Sequence, residues 1–276
     1  MHQWKRGVAV ALAVLLIAVS GVAVYFSFPQ QGHTSSVRSV QDDPRISVSS
    51  ADGVGVLSPT ETNSTTGLVF YPGARVAPDA YYRALAPLVT RANVTVFVPT
   101  MPLNVALLDP DAAESIRTSH PHIRTWAVGG HSLGGVAACQ YTDSNPGDVR
   151  GLVLLASYCN GDVSDQSLAV LSVTGSADTV LDRENYRAGR TRLPPNATFH
   201  EIRGMNHTQF GSYRGQRGDS RAPLSYDEAH RRLAEVLVSW ARDHLDSGQS
   251  RSIGGDGKDG PLQPIPRESW TLAANR

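Results

Sequence analysis

Short hydrophobic runs alternate with amphipathic stretches over most of the chain from residue 67 onward. The runs are continuous and rich in β-branched residues, which favours buried strands. They lie at Gly67–Tyr71, Val94–Pro99, Thr125–Val128, Gly151–Ala156, Leu168–Val173 and Thr198–Ile202. Between them, apolar residues recur at the spacing of one helix face. These stretches are Asp79–Ala92, Asp111–Ser119, Leu133–Thr142, Asp182–Leu193 and Tyr226–Leu245. The alternation predicts an α/β fold with a mostly parallel, doubly wound sheet, which binds ligands at the carboxyl ends of its strands.

The first 28 residues follow a different pattern. Lys5 and Arg6 precede Gly7–Phe28, a segment without a charged residue. At about 1.5 Å per residue it is long enough to cross a hydrocarbon layer of about 30 Å. We therefore predict that residues 1–28 contain one N-terminal transmembrane helix, with the rest of the chain outside the cytosol. A cleaved secretory signal is the alternative, and it gives a secreted protein.

The remaining segments are assigned by composition. Residues 29–43 are polar and are predicted to be a linker, and residues 44–246 form the folded domain. Alternating Val and Ile residues in 45–59 add one or two edge strands to that domain. Residues 247–276 are rich in Gly, Pro and Ser and are predicted to be a disordered tail. A chain of 276 residues suits one core rather than two.

Charge and cysteine content narrow the function classes. The 25 basic residues balance the 25 acidic ones, which gives no support for a nucleic-acid partner. The two cysteines, Cys139 and Cys159, are either buried thiols or, outside the cytosol, a disulfide. Because no zinc, phosphate-loop or dinucleotide motif is present, we expect neither a metal nor a cofactor. No feature of the sequence predicts an oligomeric state.

The segment Trp126–Gly135, "WAVGGHSLGG", places one serine on a sharp turn between a predicted strand and a predicted helix. Gly130 and Gly134 flank Ser132 in a G-x-S-x-G pattern, which is typical of a nucleophile elbow. The glycines leave space for the tight turn, and the serine hydroxyl is then exposed above the strand ends. We predict that Ser132 is a catalytic nucleophile.

A serine hydroxyl becomes a good nucleophile only when a base takes its proton and a carboxylate orients that base. Asp178 follows the strand at 168–173, and His207 follows the last predicted strand. Their order along the chain, after Ser132, is the one that this type of site requires. Asp182 is a competing carboxylate, but it better fits the start of the next helix. We therefore predict the catalytic residues Ser132, Asp178 and His207.

Two backbone N–H groups are also needed to bind the oxygen that gains charge during acyl transfer. The amide that follows the nucleophile, that of Leu133, is one of them. The other is expected in the loop after the strand at 67–71, where Ala74 is the first choice and Arg75 the second.

Several segments together resemble the α/β-hydrolase superfamily. Within it, residues 67 to 213 are similar to compact bacterial hydrolases related to dienelactone hydrolase, the alpha/beta hydrolase family 5 type. The matching segments are "GLVFYPGARVAPDAYYRALAPL", "VFVPTMPLNVALLDPDAAESI", "WAVGGHSLGGVAA", "VTGSADTV" and "RGMNHTQFGSY". The resemblance implies the α/β-hydrolase fold, the same three catalytic residues and an oxyanion amide from the "PGA" loop. Met205 departs from the family, where a glycine is common before Asn-His.

The spacing also predicts a site without a lid domain. Only residues 157–166 separate the strand at 151–156 from the strand at 168–173, which is too short for a lid. An open, shallow pocket that suits a short acyl group is therefore expected. Its predicted lining, for which core packing is the alternative, is Tyr71, Met101, Tyr158 and Phe210. Asn104, in "MPLN", also lies near this site, and the sequence gives it no role.

These observations predict a serine hydrolase that cleaves a carboxylic ester or a related acyl bond of a small molecule. In the membrane-anchored form it works on the extracytoplasmic side. Two alternatives remain open at this stage. The same triad would serve an acyltransferase, a thioesterase or a peptidase, and a misaligned triad would leave a non-catalytic binding module.

Overall fold

The computed structural model describes the backbone of residues 2–246 and the side chains of residues 12–246. Its strands are β1 (Ile46–Ala51), β2 (Val54–Pro59), β3 (Thr66–Tyr71), β4 (Val94–Pro99), β5 (Thr125–His131), β6 (Gly151–Leu155), β7 (Ala169–Gly175) and β8 (Thr198–Ile202). They form one sheet in the order β1-β2-β4-β3-β5-β6-β7-β8. β2 pairs antiparallel with β1 and with β4, and all other neighbours are parallel. The predicted mostly parallel α/β sheet is confirmed.

Helices cover both faces of this sheet. The α-helices of the described chain are α1 (His2–Ser27), α2 (Thr34–Gln41), α3 (Tyr82–Ala92), α4 (Ala112–Ser119), α5 (Leu133–Ser144), α6 (Arg183–Gly189) and α7 (Tyr226–Leu245). Strand β3 shows why both faces are apolar: Leu68 and Phe70 join the cluster under α3 and α7, while Val69 and Tyr71 join the cluster under α4 and α5. Side chains alternate along a strand, so a strand buried on both faces is hydrophobic throughout.

The segment predicted to be a linker, residues 29–43, contains helix α2. In this helix the side chains of Ser36 and Val40 are buried, and Val37 packs against the core cluster that includes α3. Because its sequence, TSSVRSVQ, is mostly polar, packing of this one narrow face stabilises the helix rather than a strong hydrophobic pattern. The tail predicted for residues 247–276 lies outside the described residues.

The prediction of a membrane-spanning helix over residues 7–28 is not supported. The segment is helical, as α1. However, in the part of the chain that the structure describes, no helix combines the length and the apolar character needed to cross a membrane.

The connection between β6 and β7 agrees with the predicted absence of a lid domain. Residues 156–168 join the two strands without a helix or a strand of their own. The carboxyl ends of β5, β6 and β7 are therefore not covered by an inserted domain at this connection.

Cys139 and Cys159 form a disulfide, one of the two states that the sequence left open. Cys139 lies on α5, the helix that begins immediately after Ser132, and Cys159 lies in the connection after β6. The bond therefore joins the helix of the predicted nucleophile to the neighbouring loop at the carboxyl edge of the sheet. In the described chain no cysteine is free.

Reduction of this disulfide should lower the free energy of unfolding by about 3 kcal/mol, because the closed loop restricts the unfolded chain. The sequence separation of the two cysteines is 20 residues. Urea unfolding with and without dithiothreitol measures the change. The Cys139→Ala/Cys159→Ala double variant is the control and should not respond to dithiothreitol. A wild-type protein that is equally stable in both conditions would contradict the expectation.

Candidate active site

Ser132 occupies a strained turn between β5 and α5. Its backbone angles are φ 53° and ψ −125°, in a region that non-glycine residues rarely adopt. The two flanking glycines permit this turn. A Cβ on Gly134 would collide with the carbonyl oxygens of Tyr71 and Pro72, and one on Gly130 would collide with Gly134 itself. The strand–turn–helix arrangement predicted from the sequence is therefore present, although β5 continues to His131 rather than ending at Val128.

Asp178 and His207 form a buried hydrogen-bonded pair. The Nδ1 atom of His207 lies 2.9 Å from Oδ2 of Asp178, and the side chains are 2% and 0% exposed. The second carboxylate oxygen, Oδ1, accepts the N–H groups of Val180 at 2.8 Å and Leu181 at 2.9 Å. Asp178 lies just after β7 and His207 just after β8, so adjacent parallel strands bring the two residues to one edge.

These contacts favour the charged form of Asp178. Burial alone would raise the pKa of Asp178, but the hydrogen bond and the charge of His207, with the two N–H donors, outweigh it. The pKa therefore lies below its ordinary value of 3.8. Since the carboxylate is ionised, it accepts a hydrogen bond from the Nδ1–H group of His207, which leaves Nε2 of that ring able to take up a proton.

Ser132 is close to this pair in the fold, but no hydrogen bond among the described residues joins its hydroxyl to His207. His131, which precedes Ser132, lies beside His207: the centroids of the two rings are 4.4 Å apart. Hydrogen bonds between a nucleophile and its base are often long in proteins without substrate. The structure thus brings Asp178 and His207 together directly, and brings Ser132 to the same edge of the sheet.

The N–H groups of the loop after β3 are not all available to a substrate. The Arg75 N–H donates to the carbonyl oxygen of Asn104 at 2.8 Å, so it is not available to a substrate. By contrast, no described residue accepts a hydrogen bond from the Ala74 N–H. Leu133 is the first residue of α5, where a backbone N–H has no partner within the helix. The N–H groups of the two predicted oxyanion donors, Ala74 and Leu133, thus have no acceptor among the described residues, and their binding of an oxyanion stays a prediction.

A comparison with protein families decides the classification of the chain. The model of the alpha/beta hydrolase family matches residues 67–231, more than half of the sequence. The chain belongs to this family. The match confirms the family that the sequence motifs indicated and supports a hydrolase enzyme, while the closer relation to dienelactone hydrolases stays a prediction. A comparison with curated proteins gave no match.

Solved structures share the fold of this alpha/beta hydrolase at low sequence identity. One is the esterase domain of a Rhodothermus marinus protein, with 14% identity and a TM-score of 0.54, covering 70% of this chain and 92% of that one. Another is MGS-MChE2, an alpha/beta hydrolase enzyme from the metagenome of sediments of the Mar Chica lagoon, Morocco. It has 14% identity and a TM-score of 0.55, covering 71% of this chain and 98% of its own. At this identity the likeness shows the fold alone.

In this hydrolase, His131 connects the nucleophile turn to the loop after β3. The hydroxyl of Tyr81 accepts the N–H of Gly73 at 2.9 Å and lies 2.9 Å from Nδ1 of His131. Burial, and then the charge of His207, hold the pKa of His131 well below its ordinary value. His131 is the variable position of the G-x-S-x-G pattern, so the motif gives no sign of this connection.

The backbone at His207 is fixed by a residue that the sequence did not single out. Asp219 accepts the N–H of His207 at 3.1 Å through Oδ1 and the N–H of Thr208 at 2.9 Å through Oδ2. Asn206 adds a bond from its Nδ2 to the carbonyl oxygen of Ser220 at 2.7 Å. Residues 214–224 have no regular structure, so no periodic pattern places Asp219 beside His207.

The four predicted pocket residues are mostly buried in the core of the hydrolase. Tyr71, Met101 and Phe210 are 0%, 4% and 0% exposed. Tyr71 is also held by its hydroxyl, which accepts the Ala113 N–H at 2.9 Å. The burial of these three residues agrees with core packing, the alternative to a role in the pocket, whereas Tyr158 is half-buried. A cavity of about 640 Å³ between β8 and α7 is lined by none of the four, nor by Ser132 or His207.

Within the described residues, no group of three or more His, Cys, Asp or Glu side chains is arranged to hold a metal ion. The polar groups at the site are instead a hydroxyl, an imidazole, a carboxylate and free backbone N–H groups. This set suits acyl transfer, which needs a nucleophile, a base and an oxyanion site.

Proposed function

We propose that the protein is a serine hydrolase that cleaves a carboxylic ester or a related acyl bond. The observation that carries the proposal is the buried bond of 2.9 Å between His207 Nδ1 and Asp178 Oδ2, at the edge of the sheet where Ser132 lies on its strained turn. In this arrangement the carboxylate orients the imidazole, and the imidazole takes the proton of the serine hydroxyl, which makes the serine a nucleophile.

In the first half of the proposed reaction, Nε2 of His207 takes the proton of the Ser132 hydroxyl. The Ser132 oxygen attacks the carbonyl carbon of the substrate, and the carbonyl oxygen becomes an oxyanion. The N–H groups of Ala74 and Leu133 bind that oxyanion. As the bond to the alcohol breaks, His207 gives its proton to the leaving oxygen, and an acyl-enzyme remains.

In the second half, water replaces the alcohol. His207 takes one proton from the water, and the hydroxide formed attacks the acyl carbon. The bond to Ser132 breaks, the serine oxygen regains its proton from His207, and the carboxylic acid leaves. Asp178 stays ionised throughout and stabilises the imidazolium form of His207.

We expect the enzyme to prefer short acyl chains, because the connection between β6 and β7 carries no lid domain that would enclose a long one. The wild-type protein should hydrolyse p-nitrophenyl acetate and butyrate with a kcat/KM at least about tenfold above that for the dodecanoate, which corresponds to about 1.4 kcal/mol. A fluorophosphonate should label Ser132, as mass spectrometry of the peptide would show. Absence of both labelling and turnover in folded protein would contradict the proposed function and would favour a binding module.

The location of the domain outside the cytosol stays a prediction. The Cys139–Cys159 disulfide supports it, because disulfides persist in oxidising compartments and are rare in the cytosol.

A further inference from the structure

The loop after β3 is tied to the end of the first helix. We call residues 72–77 the oxyanion loop and residues 25–30 the helix-end segment. The N–H of Gln30 donates to the carbonyl oxygen of Arg75 at 2.6 Å, and the N–H of Ala77 donates to the carbonyl oxygen of Gln30 at 2.9 Å. These bonds form a short parallel bridge between Gln30 and Val76. A segment far from the nucleophile in sequence therefore pairs with the loop that carries the Ala74 N–H.

The side chain of Arg75 makes further contacts with the helix-end segment. Its Nη2 donates to the carbonyl oxygen of Phe28 at 3.0 Å. Its Cζ lies 3.7 Å from the centroid of the Tyr25 ring, a cation–π contact. The carbonyl groups at the end of a helix lack partners within the helix and carry partial negative charge, so a guanidinium is a favourable neighbour there.

Asn104 completes the connection from the loop after β4. Its carbonyl oxygen accepts the Arg75 N–H at 2.8 Å, and its side-chain Nδ2 donates to the carbonyl oxygen of Phe26 at 2.8 Å. Both Asn104 and Arg75 have positive φ angles, 54° and 58°. Such backbone conformations are costly for residues other than glycine and persist when surrounding contacts hold them.

These contacts leave one free donor between two fixed ones. The N–H of Gly73 is held by the Tyr81 hydroxyl, and the N–H of Arg75 is held by Asn104. Between them, the Ala74 N–H has no acceptor among the described residues. Anchoring on both sides fixes the direction of this donor before a substrate arrives, which is how an oxyanion site lowers the barrier.

We propose that Arg75 and Asn104 are positioning residues, through which the helix-end segment holds the Ala74 N–H in the direction of the oxyanion. The inference rests on the proposed function, in which this N–H binds the oxyanion. The two residues touch no reacting atom. They act on the loop, and loss of their contacts should affect the transition state more than substrate binding.

The experiment compares full-length wild-type protein with Arg75→Ala and Arg75→Lys. Arg75→Ala should lower kcat for p-nitrophenyl butyrate by about tenfold, less than the roughly 10²- to 10³-fold that loss of an oxyanion donor costs. Its KM should stay within about twofold of the wild-type value. Arg75→Lys should recover part of the loss, because an ammonium group still donates to the Phe28 carbonyl.

Arg190→Ala is a matched control. The Cζ of Arg190 lies 4.0 Å from the centroid of the Phe199 ring, so this variant also loses an arginine–aromatic contact, but away from the site. Its kcat should equal that of the wild type. Tyr25→Leu is a second test variant, in case Arg75→Ala does not fold. It removes the ring beside Arg75 and should lower kcat by about threefold.

Hydrogen exchange provides a readout that does not require turnover. The backbone N–H groups of positions 75, 76 and 77 are hydrogen-bonded in the wild-type loop. They should exchange faster in Arg75→Ala and Tyr25→Leu than in the wild type, and at the wild-type rate in Arg190→Ala. Unchanged exchange and unchanged kcat in both test variants would overturn this inference while the proposed function stands. A folded wild type that neither hydrolyses esters nor reacts with fluorophosphonate would contradict the proposed function, and the exchange rates would still decide whether the segment holds the loop.

Discussion

Replacing Ser132 by Ala should reduce kcat/KM for p-nitrophenyl butyrate by roughly 10⁴- to 10⁶-fold, because no other group in the proposed mechanism forms the acyl-enzyme. The variant should keep its fold. Ala has a Cβ like Ser, so it meets the same backbone strain at φ 53°, and no hydrogen bond of the Ser132 hydroxyl is lost among the described residues. Esterase assays and a thermal unfolding curve measure both expectations.

Ser144→Ala is the matched control for this variant. Ser144 is an exposed serine at the other end of the same helix, α5, so its replacement makes the same chemical change away from the site. It should retain wild-type activity. A Ser132→Ala protein that hydrolyses the ester at more than a tenth of the wild-type rate would exclude Ser132 as the nucleophile.

The second large effect is expected from Asp178→Asn, which should lower kcat by about 10⁴-fold near neutral pH. The structure determines how the amide must be oriented. Oδ1 of Asp178 accepts two backbone N–H groups, so the amide oxygen of Asn has to take that position. The NH₂ group then faces Nδ1 of His207 and donates to it. This forces the proton of His207 onto Nε2, and the ring can no longer accept the proton of Ser132.

Asp182→Asn is the control that separates this effect from a general loss of charge. The Oδ1 atom of Asp182 also accepts two backbone N–H groups, those of Glu184 and Asn185, each at 3.0 Å, at the start of α6. Because Asn is as good a helix N-cap as Asp, this variant should keep its activity. It loses only the exposed hydrogen bond that Nδ2 of Asn185 donates to Oδ2 of Asp182. Equal kinetics for Asp178→Asn and Asp182→Asn would be incompatible with the proposed role of Asp178.

Asp178→Asn should also change how stability depends on pH. The pKa of Asp178 is lower in the folded chain than in the unfolded chain, where it has its ordinary value. The ionised carboxylate therefore stabilises the fold at pH values above the unfolded pKa, and this stabilisation is lost as the pH falls through the folded pKa. In urea unfolding, the wild type should exceed Asp178→Asn in stability at neutral pH, and the difference should shrink below about pH 4. A difference that is constant with pH would contradict this assignment.

The parallel strands and the Ser132 turn were predictable because their signals are local. β4 and β8 have the bounds that the hydrophobic runs gave, and the glycines around Ser132 are required by contacts within a few residues and one neighbouring strand. The pairing of Asp178 with His207 is a non-local contact, yet it follows from strand order, since both residues come after neighbouring parallel strands.

Other parts of the site depend on packing that a sequence does not display. Tyr71 and Phe210 are buried on opposite faces of the sheet, each in a cluster formed with helices that are distant in sequence. The sequence therefore does not show how deeply these two side chains are buried. Helix α2 is stabilised by tertiary contacts of a narrow face within a polar segment. The contacts of Asn104 could not be predicted from the sequence either, because its partners, Phe26 and Arg75, come from two separate segments.

The bridge between Gln30 and Val76 has a practical consequence for anyone preparing a shortened form for crystallisation. Composition suggests trimming to residue 44, where the folded domain was predicted to begin. Such trimming removes the backbone partners of Arg75 and Ala77, together with all of α2. A truncated form that starts before Tyr25 keeps them, and it is the one in which assays of purified protein should reflect the behaviour of the whole enzyme.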